Sequence, residues 1–104
     1  MQHIYVKDFS LFPGPRHIKD GKASGEEFRN TILIPATKKD PEITLHLDGV
    51  VGYGSSFLEE AFGGAIRLGV SPNIISNIIF ISEEDPDLIE EIREYINAAI
   101  SELQ

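Results

Sequence analysis

The 104 residues predict a small single-domain α/β fold, with a mixed, partly parallel sheet and about three main helices. Three observations predict it. Three stretches carry strand patterns, two alternating apolar with polar and one unbroken. Three stretches carry apolar residues at helical spacing. The two kinds alternate along the chain, which implies parallel strands joined by right-handed crossovers.

The elements follow in order. Residues 3–9, HIYVKDF, place Ile4 and Val6 at a period of two and read as a strand. SLFPGPRHIKDGKA follows as a loop, because Pro13-Gly14-Pro15 and Asp20-Gly21 are turn signals. Ser24 and Glu27 stand at capping-box spacing, so a helix opens there, with Phe28 and Ile32 on one face. Pro35 lacks an N–H and is expected to kink or end that helix. ITLHLD, residues 43–48, is a strand with Ile43, Leu45 and Leu47 on one side. Gly49, Gly52 and Gly54 make a turn-rich passage before a second helix. Ser56 and Glu59 repeat the capping-box spacing there, Leu58, Ala61, Phe62, Ala65 and Ile66 supply the apolar face, and Gly69 suits the C′ position. Gly63-Gly64 inside that helix each cost about 1 kcal/mol relative to Ala, so another element should approach its backbone. NIIFIS, residues 77–82, reads as a central strand covered on both faces. Asp85 should cap the last helix, with Pro86 in first position. Its core stripe is Ile89, Ile92, Ile96, Ala99, Ile100 and Leu103, and Asp87, Glu90 and Glu91 suit its dipole.

Charge is unevenly spread. The net charge is -8, yet residues 1–39 carry a net positive charge and residues 40–104 hold only Arg67 and Arg93 against thirteen acids. Such a chain is expected to repel nucleic acid. Without cysteine it has no disulfide and no thiolate chemistry. No apolar run is long enough to span a membrane, and MQHIYVKDF lacks a secretory h-region, so a cytoplasmic setting is expected.

Several motifs fail. Gly21-Lys22 has Arg16 and Ala23 where a P-loop needs Gly and Ser or Thr. Gly49, Gly52 and Gly54 run in the reverse order of the dinucleotide fingerprint. His3, His17 and His46 lie in separate segments, so no metal site is expected. Asp8, Asp20 and Asp48 are either surface carboxylates or a cluster at strand ends. No nucleophile–base pair is evident, so neither a catalytic residue nor a cofactor is expected.

One segment stands apart. LHLDGVVGYGSSFLEEAFGGAI, residues 45–66, reads as strand, glycine turn, two serines, helix. A helix N-terminus favours phosphate, so Ser55 or Ser56 is either a phosphoacceptor, an anion ligand or simply a cap. The stretch resembles the STAS domain (sulfate transporter and anti-sigma antagonist) of anti-anti-sigma factors. There a G-V-like pair leads to D-S-S/T-G-L, and the first hydroxyl residue takes a phosphoryl group from a partner kinase. Gly49-Val50 match the pair, Ser55 the acceptor, Ser56 the next hydroxyl and Leu58 the leucine. Gly54 replaces the family's aspartate and Phe57 its glycine. The chain also resembles, over nearly its whole length, a bacterial STAS-like family of unknown function. FPGPRHIKDGKASGEEF (12–28) and LDGVVGYGSSFLEEAFGG (47–64) carry that likeness.

The resemblance implies a non-enzymatic regulatory module that binds a protein, such as an ATPase-type kinase or an anti-sigma-like partner. Ser55 would be its switch, and Asp48, Tyr53, Gly54 and Phe57 would lie on the contact surface, unless one of the two aromatic rings packs into the core instead. The alternative is a sensor for a phosphate-bearing ligand such as a nucleotide, held by Arg16, Lys19 and the serines. The oligomeric state is left open.

Overall fold

The computed structural model describes residues 1–103. Its elements are β1 (Gln2–Tyr5), α1 (Val6–Phe9), a 3₁₀ turn at Ile18–Asp20, α2 (25–39), β2 (Ile43–His46), α3 (55–67), α4 (Pro72–Ser76), β3 (Ile79–Ile81) and α5 (Asp87–Glu102). The fold is α/β, with a three-stranded sheet in the order β1-β2-β3, parallel at both pairings. Three of the five helices are long. β1 is shorter than expected: at Val6 the chain leaves the ladder and turns into α1, where Val6 stays buried.

Register sorts the sheet into two faces. Ile4, Leu45 and Phe80 form one row, and Ile43 lies on the same face. These residues join one core with Phe28 and Leu33 of α2, Phe62 and Ile66 of α3, and Ile92 and Ile96 of α5. Phe62 meets Phe80 edge-on at 5.3 Å, a favoured aromatic geometry. The other face carries the rows His3–Thr44–Ile79 and Tyr5–His46–Ile81. β3 is therefore an edge strand and not the doubly covered centre that NIIFIS suggested; Ile79 is 53% exposed. The central position falls to β2. On the less covered face His3 Nδ1 and His46 Nε2 share a hydrogen bond of 2.9 Å, and Tyr5 stacks on His46 at 4.1 Å. Parallel pairing thus brings together two histidines that lie 43 positions apart in sequence.

Local signals held at several ends. Ser24 Oγ accepts the Glu27 N–H at 3.0 Å and caps α2. Gly69 has φ +98°; its N–H reaches the Ile66 carbonyl while the Val70 N–H reaches that of Ala65, which is a Schellman stop for α3. Because Ser24 is fully buried and its hydroxyl satisfies an orphan donor, Ser24→Ala should cost about 1 kcal/mol. An unchanged urea midpoint would contradict that role.

Elsewhere the structure departs from expectation. Pro35 does not end α2, which runs to Lys39. Residues Arg29–Leu33 form a π turn, in which the Ile34 N–H reaches the Arg29 carbonyl. This wider turn gives room to a proline whose ring would otherwise strike the preceding turn. Asp85 makes no side-chain cap; Ser82 Oγ instead donates to its carbonyl at 2.5 Å. Leu103 is exposed at the end of α5, outside the core stripe.

α3 has a second π turn at Glu59–Gly63, and the two widened turns meet. Arg29 of α2, almost wholly buried, pairs with Glu60 of α3. Glu60 also meets Arg16 at 3.1 Å, and Glu59 pairs with Arg16 and Arg67 at 2.6 Å each. This network explains Gly63-Gly64. A Cβ on Gly64 would stand 2.8 Å from Arg29 Nη1, and one on Gly63 2.5 Å from Glu59 Oε2. The approach by another element is thus made at Gly64, by Arg29 of α2, whereas Gly63 faces only side-chain ends of its own helix.

Candidate functional site

The loops leaving the C-terminal ends of β2 and β3 lie side by side. Open α/β sheets place their ligands outside this end of the strands. Here the two loops are laced together. Both Asp48 carboxylate oxygens accept backbone N–H groups, of Glu83 and Glu84, at 2.9 Å. Glu84 returns the bond by accepting the Gly49 N–H at 2.7 Å. Between the loops opens a cavity of about 350 Å³, with Leu47, Val50, Val51 and Leu88 as its apolar lining and Asp48, Glu84 and Asp85 as its acids.

Tyr53 closes one side of the cavity. Its hydroxyl donates to the Leu47 carbonyl at 2.7 Å. Burial, and then the charges of Asp48 and Glu84, push its ionisation well above the ordinary tyrosine range. Asp48 is shifted the other way, its carboxyl held below the usual aspartate range first by the Glu83 N–H and then by that of Glu84. The sign follows from linkage. The unfolded chain binds this proton more tightly than the folded chain. Asp48 therefore contributes stability above its unfolded pKa, about 3.9, and loses it as pH falls through its lower folded value. Asp48→Asn should lose less stability than the parent between pH 5 and pH 2.5 in urea titrations. Parallel curves for the two proteins would contradict the bracing role.

The two serines stand at the start of α3. Gly54 occupies the N-cap position in an extended conformation, φ -81° and ψ 147°, with no side-chain cap. Ser55 and Ser56 are the first two helical residues, and both are exposed. The capping box read at Ser56 is absent, because the helix begins two residues earlier, with Gly54 as its N-cap, and the Leu58 N–H bonds the Gly54 carbonyl at 3.2 Å. Across from Ser55, Tyr95 of α5 donates to Glu91 at 2.5 Å. The Glu91 carboxylate raises the Tyr95 pKa, and the Ser55 hydroxyl beside it acts in the opposite direction.

The remaining residues named from the sequence separate. Phe57 is 1% exposed and packs with Phe28 and Tyr53, so it is core and not contact surface. Arg16 is engaged by Glu59 and Glu60, one turn beyond the serines. Lys19 lies exposed on the 3₁₀ turn beside His17 and Glu26. Asp8 and Asp20 are exposed and do not join Asp48; among the described residues no three His, Asp or Glu side chains gather as a metal would require.

Sequence reasoning missed one feature. Leu11, Phe12 and Val51 are 52%, 68% and 76% exposed, and the Val51 N–H bonds the Leu11 carbonyl at 2.9 Å. The bond ties the 10–15 loop, with its exposed Leu11 and Phe12, to Val51 of the cavity lining. The available signal was the pair Leu11-Phe12 standing in a loop just before Pro13-Gly14-Pro15, where no core position accounts for it.

The profile of a STAS-like domain of unknown function matches residues 24–88. The chain belongs to that family. No curated protein and no solved structure matches it. The match covers α2 to β3 of this STAS-like domain and both loops that line the cavity. It is shorter than the nearly whole-chain likeness read from the sequence: β1, Leu11, Phe12, Arg16, Lys19 and nearly all of α5 lie outside it. Among the described residues no helix is long and apolar enough to cross a membrane.

Proposed function

We propose that this STAS-like domain is a non-enzymatic regulatory module that docks a protein partner at the C-terminal end of its sheet, with Ser55 as the regulated residue. The observation that carries the reading is the exposed trio Leu11, Phe12 and Val51 beside the cavity. Contiguous exposed apolar residues with a polar rim mark interaction sites. Ser55 opens the helix that follows the same loop, and the likeness to anti-anti-sigma factors makes an ATPase-type kinase the natural partner. A phosphate on Ser55 adds about -1.5 to -2 charge opposite Glu91 and Tyr95. That repulsion would reshape the helix-terminal surface. The phosphate-sensor alternative has less support, since Arg16 is already neutralised by two carboxylates.

The departure at Gly54 gives a direct test. A Cβ there meets nothing within 4 Å, and the backbone conformation suits any residue. Gly54→Asp should therefore fold and gain a few tenths of a kcal/mol from a side-chain cap. It also restores the acid of the anti-anti-sigma motif, so phosphate incorporated from ATP by a partner kinase should rise at Ser55. Ser55→Asp should keep the fold and weaken partner binding. Ser56→Ala, which loses no cap, should change stability by less than about 0.5 kcal/mol. The decisive assay compares partners retained by immobilised parent, Ser55→Ala, Ser55→Asp and Val51→Ser. A partner held by the first two and lost by the others supports the reading. The same partners on all four would overturn it.

A further inference from the structure

We propose that the segment docking here is basic, and that a lysine or arginine side chain, flanked by an apolar residue, enters the cavity between the β2 and β3 loops. The inference rests on the docking reading and specifies its partner. Asp48, Glu84 and Asp85 line the cavity, and no cation does. Asp48 and Glu84 each keep acceptor capacity beyond the backbone bonds they make, and the Asp85 carboxylate makes no bond among the described residues.

Among the described residues no lysine or arginine pairs with these acids, and His46 bears on Asp48 less than the two backbone N–H groups do. Arg67 is held by Glu59, and Arg93 donates to the carbonyls of Ser76 and Ile78. These are the two cations of residues 40–104. Lys7 runs its stem close to Gly49, but its ammonium lies 5.9 Å over the Tyr5 ring. The negative field registers inside the site, since Asp48 and Glu84 both oppose ionisation of Tyr53. The lining suits a side chain with an apolar stem and a charged head. Val50 and Leu88 flank the stem, Asp85 and Glu84 take the head, and the next apolar residue of the partner lies on Leu11 and Val51. A phosphorylated or acidic segment would face three unpaired like charges.

The test uses the full chain labelled with ¹⁵N. It is titrated with a 14-residue amphipathic peptide of leucine and lysine, and with its leucine–glutamate counterpart. The lysine peptide should shift amides of residues 10–12, 48–53 and 82–88. Asp85→Asn should raise its Kd about tenfold, as loss of one charge-assisted hydrogen bond implies. Val51→Ser should weaken binding as well, whereas Glu94→Gln, on an exposed position of α5, should leave Kd unchanged. If the glutamate peptide binds these same residues equally well, the docking surface stands and the basic partner is overturned. If neither peptide moves these amides, both readings fall. Shifts spread over every acidic face, with no effect of Asp85→Asn, mean general attraction to an acidic protein and also overturn the proposal.

Discussion

Glu60→Ala should destabilise the domain by about 3 kcal/mol, because it leaves Arg29 charged and buried without its partner. Arg29 is 7% exposed, and its other side-chain bond is from Nε to Asn30 Oδ1 at 2.9 Å. Arg16 and Arg67 would lose a neighbour too, but each retains Glu59. Glu60→Gln should cost less, since an amide oxygen still accepts from the guanidinium. The informative comparison is the double variant Arg29→Met with Glu60→Leu. Replacing both partners by apolar side chains removes the desolvation problem, and stability should return to near that of the parent. Urea unfolding of all four proteins checks this. A loss at Glu60→Ala no larger than that of a surface substitution, about 0.5 kcal/mol, would show the network to be solvated.

Gly25→Ala should produce a loss of about 3 kcal/mol, by a different mechanism. Gly25 is the first residue of α2 and is buried against the first turn of α3. An added Cβ would overlap the Phe57 carbonyl oxygen and stand 3.1 Å from its carbonyl carbon and Cα. The obstacle is backbone, so no side-chain rotation relieves it and the two helix starts must move apart. Phe28 and Phe57, whose rings lie 5.8 Å apart, would lose their packing together. The serine-bearing end of α3 would shift with them. Thermal unfolding of Gly25→Ala beside Gly54→Ala makes the contrast, because Gly54 has open space around it and should tolerate the methyl group. Equal midpoints for the two variants would contradict the close approach.

Local chemistry in the chain determined a good deal. Ser24 caps α2, Gly69 stops α3, and the helical spacing of Ile92, Ile96 and Ala99 buries one face of α5. These features depend on contacts within a few residues, so they can be read from spacing alone. Alternating strands and helices likewise imply a parallel sheet. The likeness of 45–66 to a serine-bearing STAS segment was also legible, because the glycine turn and the helix start are contiguous.

Tertiary structure decided the rest. Strand order is a matter of which edges meet, and it placed the apolar NIIFIS segment at the margin and ITLH in the centre. Capping at Ser56 failed because the helix start shifted by two residues, a displacement that spacing cannot resolve. The pairing of Arg16 and Arg29 with Glu59 and Glu60 joins residues 31 to 44 positions apart, and it turned one expected anion ligand, Arg16, into a structural ion. The acidic cavity and the apolar trio beside it have the same origin. Asp48 meets the 83–84 backbone, and Leu11 meets Val51, only after parallel pairing has set three loops at one end of the sheet. Residue types record what each position offers, and long-range packing decides which offers are taken up within the molecule and which are left for a partner.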